Sequence, residues 1–524
     1  MVSRALKNSN KECIHTMSCV YLLGAGPGDP GLLTLKARDI LSRADVVVYD
    51  YLANTAFLDF CRDDAELVYV GKKGGQHTMR QEEINALLVS RARSGFTVAR
   101  LKGGDPYVFG RGAEEAEELL DAGASFEVVP GVTSAVAAPA YAGIPLTHRK
   151  YASSVSFITG HEDPGKEESA HNWEALAAGT STLVFFMGVR NLEWICSSLI
   201  RAGMDQDTPA ALIRWGTTCE QATLAGTVST IVNQARERDF RPPALLVVGN
   251  VVRLRDRLNW FEQRPLLGQG VVVTRAREQA SDLVRRLEDR GACCYPFPTI
   301  AIEPLPDTAE VQEAVQLLKG YDWLVFTSVN GVRFFWEELE RAGYDARALG
   351  TCRMAAIGPA TAEAIRGRGI NPDFVPDRYV AESVVQGLVD LGVEGKEVLI
   401  PRAETAREVL PEELRRAGAR VRILPVYRTA LAEKSADPIL KAMDEGSIQF
   451  VTFTSSSTVS NFFSLLAPEQ LRPHVQSGKV SLACIGPITA RTLESFGFQA
   501  DIAPESYTIP ALAQALEDAA AKTS

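Results

Sequence analysis

Three glycine-rich segments and a scatter of charged side chains hold most of the chemistry this sequence offers. Gly24-Ala25-Gly26-Pro27-Gly28-Asp29 lies between a β-branched run and a helical one, where bare backbone can approach a nucleotide-like ligand. It is not the dinucleotide fingerprint: the third glycine of that motif falls on Asp29, and Pro27 removes a backbone donor from the turn. A ligand-free tight turn is the other reading. In the second segment, LKGGDPYVFGRG at residues 101–112, Gly103 and Gly104 end a strand, Asp105 and Pro106 turn the chain, and an acidic helix follows Gly112. Asp105 is placed there to attract a cation, or simply to shape the turn. The third, VVPGVTSAVAAPAYAGIPLTHR at residues 128–149, sets Thr133 and Ser134 at a helix start, as caps or as ligand contacts.

Asp50 closes the strand VVVYD, at the edge where open α/β sheets receive ligands; it reads either as a turn-capping acid or as a catalytic one. His161 follows a strand with no second His or Cys at ligand spacing, so it is expected to be structural, and no metal site is expected. Beyond residue 270 the single histidine is His474, and no nucleophile stands with a general base, which disfavours a hydrolase. That half offers hydroxyls at turns instead: Thr327, Ser328, Thr361, Ser383, Thr454, Ser455 and Thr489, with Tyr427 shortly after a proline. These cap helix starts, and capping turns also leave N–H groups free for carboxylates.

The elements that must position these residues follow an α/β rhythm. Short strands alternate with helices from Ser18 to about Trp260, and a fresh block of strands opens near Tyr151, so two α/β domains are expected, about 18–150 and 151–260. Residues 1–17 read as a polar tail and 261–269 as a linker carrying Pro265 and Gly268. Residues 270–524 repeat themselves at a period of about 127: VVVTRA answers VLIPRA, FTSVNGVRFF answers FTSSSTVSNFF, and AAIGPATA answers ACIGPITA. Two similar lobes are implied, with a cleft as the natural ligand site.

Composition removes several classes. A chain of 524 residues calls for about three or four compact units. With 55 Lys and Arg against 65 Asp and Glu, the net charge of -10 disfavours a sequence-independent grip on nucleic acid. No run of about 18 apolar residues suggests a membrane span. Nine cysteines without a C-x-x-C pair suit neither a zinc site nor a disulfide framework, so a reducing cytoplasm is expected.

GAGPGDPGLLTLKA, VVVYD, VGKKGG, RLKGGDPYVFGRG, PGVTSAVAAPAYAGIPLTHR and FITGHE recur in the order seen in the tetrapyrrole methylase family, and over residues 18–260 the chain resembles its uroporphyrinogen-III C-methyltransferases. The resemblance implies a two-domain methylase fold with S-adenosylmethionine in the cleft. By position it assigns that pocket to Pro27, Gly103, Gly104, Asp105, Val108, Thr133, Ser134, Met187, Gly216 and Ala244. It makes Asp50 a proton acceptor and Lys72 a proton donor or carboxylate partner. A substrate with several carboxylates would also suit the neighbouring cations Lys73, Arg100, Lys102, Arg111, His148 and Arg149. Homodimers are usual for such methylases.

From about Gly270 to Ala520 the ordered motifs resemble uroporphyrinogen-III synthase, a family of two α/β lobes. The chain would then build lobe 1 from about 270–300 and 428–524 and lobe 2 from 301–427, crossing near 298–303 and 425–429. Tyr427, Thr361 and Thr489 would face the cleft, with Thr327, Ser328, Ser383, Thr454 and Ser455 as substrate contacts; Tyr427 as a half-buried strand aromatic is the alternative. Together the resemblances imply that hydroxymethylbilane is cyclised to uroporphyrinogen III, which is methylated twice to precorrin-2. The rival reading is another tetrapyrrole or RNA methylase fused to a two-lobed module without turnover.

Overall fold

The computed structural model describes residues 19–71, 79–161, 171–274, 277–305, 309–378, 381–406, 408–432 and 435–523. The tail at 1–17 and Lys72 and Lys73 lie outside them. The chain divides into two compact units, one of Met1–Gly270 with Arg286–Cys293 and Glu517–Ser524, the other of Val271–Arg285 and Cys294–Leu516.

The first unit holds two sheets. Strands β1 (Cys19–Gly24), β2 (Val46–Tyr49), β3 (Glu66–Tyr69), β4 (Val98–Lys102) and β5 (Ser125–Val129) form a parallel sheet of order β3-β2-β4-β1-β5. Its central strands are apolar on both faces, as helix-covered parallel strands must be: Leu23, Val47 and Leu101 pack on one side, Val20, Val46 and Val98 on the other. Order reverses between β4 and β1, so the turns after these strands open at one edge.

The second sheet, β6 (Val155–Thr159), β7 (Thr182–Phe186), β8 (Pro209–Arg214), β9 (Ala222–Thr227) and β10 (Ala244–Val248), runs β6-β7-β10-β8-β9. Only β6 and β7 are parallel; β10 is antiparallel to β7 and β8, and β8 to β9. An α/β rhythm of strands and helices commonly gives parallel strands, and this sheet departs from that. The short loop between Arg214 and Ala222 leaves no room for a crossover helix, so the chain must return antiparallel. Residues 261–269 are a packed connection rather than an open one: Phe261 and Leu266 are buried, and Gly268 N donates to Cys219 O.

Two cysteines are paired without any motif to mark them. Cys219 and Cys293, 74 residues apart, form a disulfide. The bond Gly268 N to Cys219 O, together with Cys293 N to Gln269 O at 2.8 Å, brings both cysteines alongside residues 268–269, a proximity that spacing alone does not reveal.

In the second unit the strands are β11 (Gly270–Val273), β12 (Cys293–Pro296), β13 (Ile300–Pro304), β14 (Trp323–Phe326), β15 (Arg353–Ala356), β16 (Glu397–Ala403), β17 (Arg420–Leu431), β18 (Phe450–Phe453) and β19 (Ser481–Cys484). They form sheets of order β12-β11-β18-β19 and β13-β17-β16-β14-β15. The long β17 pairs antiparallel with β13 from Tyr427 to Leu431. The internal repeat is visible in backbone geometry. Ser328 and Ser455 each N-cap the helix after a central strand, and Gly358 and Gly486 each precede a helix that opens with proline.

Candidate functional site

The three glycine segments meet because side chains would keep them apart. Gly26 and Gly104 exchange backbone bonds at 3.1 and 2.7 Å, and Ala25 N donates to Lys102 O at 2.7 Å. A Cβ on Gly131 would lie 2.3 Å from Gly104 O and 2.7 Å from Gly24 Cα. Gly26 (φ 75°) and Gly104 (φ 70°) are in the left-handed region, where a side chain is strained.

Against this clasp lies a cavity of about 1060 Å³, at the large end for a small-molecule site. Its wall includes Pro27, Gly103, Gly104, Asp105, Val108, Thr133, Ser134, Met187, Gly216 and Ala244, all ten positions of the expected cofactor pocket, and also Asp50. Residues from both sheets of this unit contribute. A Cβ on Gly216 would come within 2.2 Å of the Ala138 Cβ, so glycine there sets how closely the β8–β9 loop approaches the helix Ser134–Tyr141.

Asp105 holds the turn together, its Oδ1 accepting from Tyr107 N at 2.8 Å and its Oδ2 from Gly131 N at 3.0 Å, and it lines the cavity as well. Thr133 caps its helix through Ala135 N and lines the cavity as well. Asp50 does two things: Oδ1 accepts from Leu52 N at 3.1 Å, while Oδ2 lies 3.5 Å from Arg100 Nη2. His161 lines the cavity, and among the described residues no cluster of His, Cys, Asp or Glu is set to hold a metal ion.

Wall residues such as Trp215 carry no motif or spacing signal. Phe109, Arg111, Met187 and Trp215 line the cavity with φ between 47° and 60°, a conformation costly for residues with side chains. Asp29, the residue that breaks the dinucleotide pattern, accepts from Tyr141 Oη at 2.6 Å and donates its N–H to Thr217 Oγ1 at 3.0 Å. Backbone strain and long-range bonds of this kind leave no spacing signal.

The family model described as Tetrapyrrole (Corrin/Porphyrin) Methylases matches residues 19–232, and that described as Uroporphyrinogen-III synthase HemD matches 281–514. The "Porphyrin biosynthesis protein HemD" of Ruminiclostridium josui is 37% identical over 93% of this chain and 95% of its own. This chain is a tetrapyrrole methylase joined to a uroporphyrinogen-III synthase domain. Its methylase half is 55% identical to the "S-adenosyl-L-methionine-dependent uroporphyrinogen III methyltransferase" of Methanosarcina barkeri, over 47% of this chain and 95% of the relative. It is also similar to the uroporphyrin-III C-methyl transferase of Thermus thermophilus solved with S-adenosyl homocysteine, at 41% identity over 45% of this chain and all of that one, with a TM-score of 0.39.

In the synthase half the hydroxyls are more enclosed than a lined cleft would have them. Thr361 and Thr489 are buried within helices, each 4% exposed. Tyr427 is buried too, stacked on Phe334 with ring centroids 5.5 Å apart, and its hydroxyl lies 3.1 Å from Ser328 Oγ. Ser328 and Ser455 serve as caps, accepting from Gly331 N at 2.9 Å and Thr458 N at 3.3 Å. Thr327, Ser383 and Thr454 are half-buried.

Proposed function

We propose that the methylase half transfers two methyl groups from S-adenosylmethionine to uroporphyrinogen III, giving precorrin-2 for sirohaem or cobalamin synthesis. The synthase half supplies that substrate from hydroxymethylbilane. The observation that carries the methylase reading is the glycine-clasped cavity, whose wall combines the ten positions expected to hold the cofactor with a carboxylate, Asp50, and two cations, Arg100 and Lys102.

A bound sulfonium donor supplies an electrophilic methyl to an electron-rich pyrrole carbon. The protein's own tasks are alignment and proton removal. Gly103 and Gly104 let main-chain groups reach the ligand, and Met187 and Val108 offer apolar contact. Asp50 takes the proton lost from the alkylated ring. Lys72 is assigned to donate a proton or hold a carboxylate.

For the synthase half, the repeated helix starts capped by Ser328 and Ser455 put hydroxyls and N–H groups at the ends of β14 and β18. Loss of water from hydroxymethylbilane, inversion of the last ring and closure require control of conformation more than strong acid or base. Tyr427 assists departure of the hydroxyl through the bond it shares with Ser328.

Mass spectrometry of purified chain given uroporphyrinogen III and methyl-labelled donor tests the methylase assignment. Two labelled methyls per macrocycle are expected; an unlabelled macrocycle refutes it.

A further inference from the structure

Strand β4 is buried along its whole length, yet it carries two cations. Arg100 and Lys102 are each 3% exposed, and both turn to the same acid. Glu115, on the helix Gly112–Asp121, is fully buried. Its Oε1 accepts from Lys102 Nζ at 2.8 Å, Gln81 Nε2 at 3.1 Å and Arg100 Nε at 3.2 Å, while its Oε2 is buried without a hydrogen-bond partner. Arg100 Nη2 also lies 3.5 Å from Asp50 Oδ2, and Arg100 Nη1 donates to Leu101 O at 3.1 Å.

Arg100, Lys102, Gln81 and Asp50 all line the methylase cavity, with Glu115 behind them. A buried acid that spends one oxygen on three donors and leaves the other unpaired is a poor stabilising device, since satisfied lone pairs are what make buried ions tolerable. What the arrangement does secure is the position and charge of two cations on the cavity wall.

We propose that Glu115 is a positioning residue of the methyl-transfer site, keeping Lys102 protonated toward a carboxylate side chain of the tetrapyrrole and Arg100 oriented against Asp50. This rests on the reading above that a polycarboxylate macrocycle enters the cavity. Burial, and next the charge of Arg100, push the Lys102 ammonium below its ordinary range; Glu115 and then Asp50 work in the opposite direction. Among the described residues the charged groups around it are Asp50 after β2, Arg100 on β4, and Glu114 and Glu115 on the helix that Arg111 precedes. Removing the Glu115 charge while keeping its shape therefore lets Lys102 lose its proton at a lower pH.

The test is Glu115→Gln in the full chain, assayed for methylation of uroporphyrinogen III across about pH 6.5 to 9.5, with S-adenosylhomocysteine affinity measured alongside. The variant is expected to keep the wild-type affinity for S-adenosylhomocysteine and to gain an alkaline rise in KM for the macrocycle of about tenfold, absent from wild type. Adding Lys102→Arg is expected to flatten that rise, because a guanidinium keeps its proton throughout. A wild-type pH profile in E115Q, or a loss equal at every pH that K102R leaves alone, overturns the proposal. Should E115Q fail to fold, Lys102→Met carries the test: a raised KM at every pH with unchanged S-adenosylhomocysteine affinity supports it, and an unchanged KM overturns it. Wild-type chain inert toward uroporphyrinogen III at all pH values overturns the functional reading itself, and the proposal with it.

Discussion

Thr217 Oγ1 accepts a 3.0 Å hydrogen bond from the backbone N–H of Asp29, joining two loops 188 residues apart in sequence, one from each sheet of the methylase unit. Thr217 is buried, and its own N–H is held by Gln221 Oε1 at 2.7 Å. The loop that carries cavity residues Trp215 and Gly216 is thus pinned to the Gly26–Gly28 turn. Thr217→Val keeps the shape and removes the acceptor, leaving a part-buried N–H unpaired at a cost of about 1 kcal/mol or more. Binding of S-adenosylhomocysteine, followed by calorimetry, is expected to weaken about fivefold to tenfold. Unchanged affinity would show that this bond does not organise the pocket.

Two glycines of the clasp should respond differently to alanine. A Cβ at Gly131 meets Gly104 O at 2.3 Å, whereas at Gly104 the nearest atom is 3.8 Å away and the cost is the positive φ alone. Gly104→Ala should lower stability by about 1–2 kcal/mol, the left-handed penalty. Gly131→Ala incurs no left-handed penalty but overpacks against backbone that cannot yield, and should cost more, about 3 kcal/mol or above. Denaturant unfolding of the two variants orders them, and equal losses would contradict the close approach.

The synthase half offers a separation of packing from chemistry. Ser328→Ala removes both the cap of the helix Val329–Arg341 and the partner of the Tyr427 hydroxyl, and should cost about 1 kcal/mol of stability. Tyr427→Phe keeps the ring stacked on Phe334 and should cost less stability. If the hydroxyl assists water loss, Tyr427→Phe slows formation of the type III isomer from hydroxymethylbilane while the unfolding midpoint barely moves. A type III yield equal to wild type would leave Tyr427 a packing residue.

The disulfide predicts redox-dependent stability. Cys219 and Cys293 close a loop across 74 residues, and such cross-links stabilise by about 2–4 kcal/mol, chiefly by restricting the unfolded chain. Wild type should melt lower with a thiol reductant present, and Cys293→Ser should melt at that lower value with or without it. Identical midpoints in oxidised and reduced wild type would show that the bond does not form.

What was legible in the sequence follows from how each feature is encoded. Strand periodicity, the glycine segments and the 127-residue repeat are local patterns, and the parallel sheet from β1 to β5 and the matched helix caps at Ser328 and Ser455 express them directly. Asp50 was visible because a strand end is a local feature. The antiparallel pairing of β8, β9 and β10 depends on loop length against sheet order, which a strand pattern does not state. The burial of Thr361, Thr489 and Tyr427, the Cys219–Cys293 bond and the positive φ of Trp215 and Met187 arise only from tertiary packing.

The most direct test of the whole account gives purified chain hydroxymethylbilane and methyl-labelled S-adenosylmethionine together, then determines macrocycle isomer and label content by chromatography and mass spectrometry. A type III macrocycle bearing two labelled methyl groups is expected. A type I macrocycle, or a type III macrocycle without label, would contradict it.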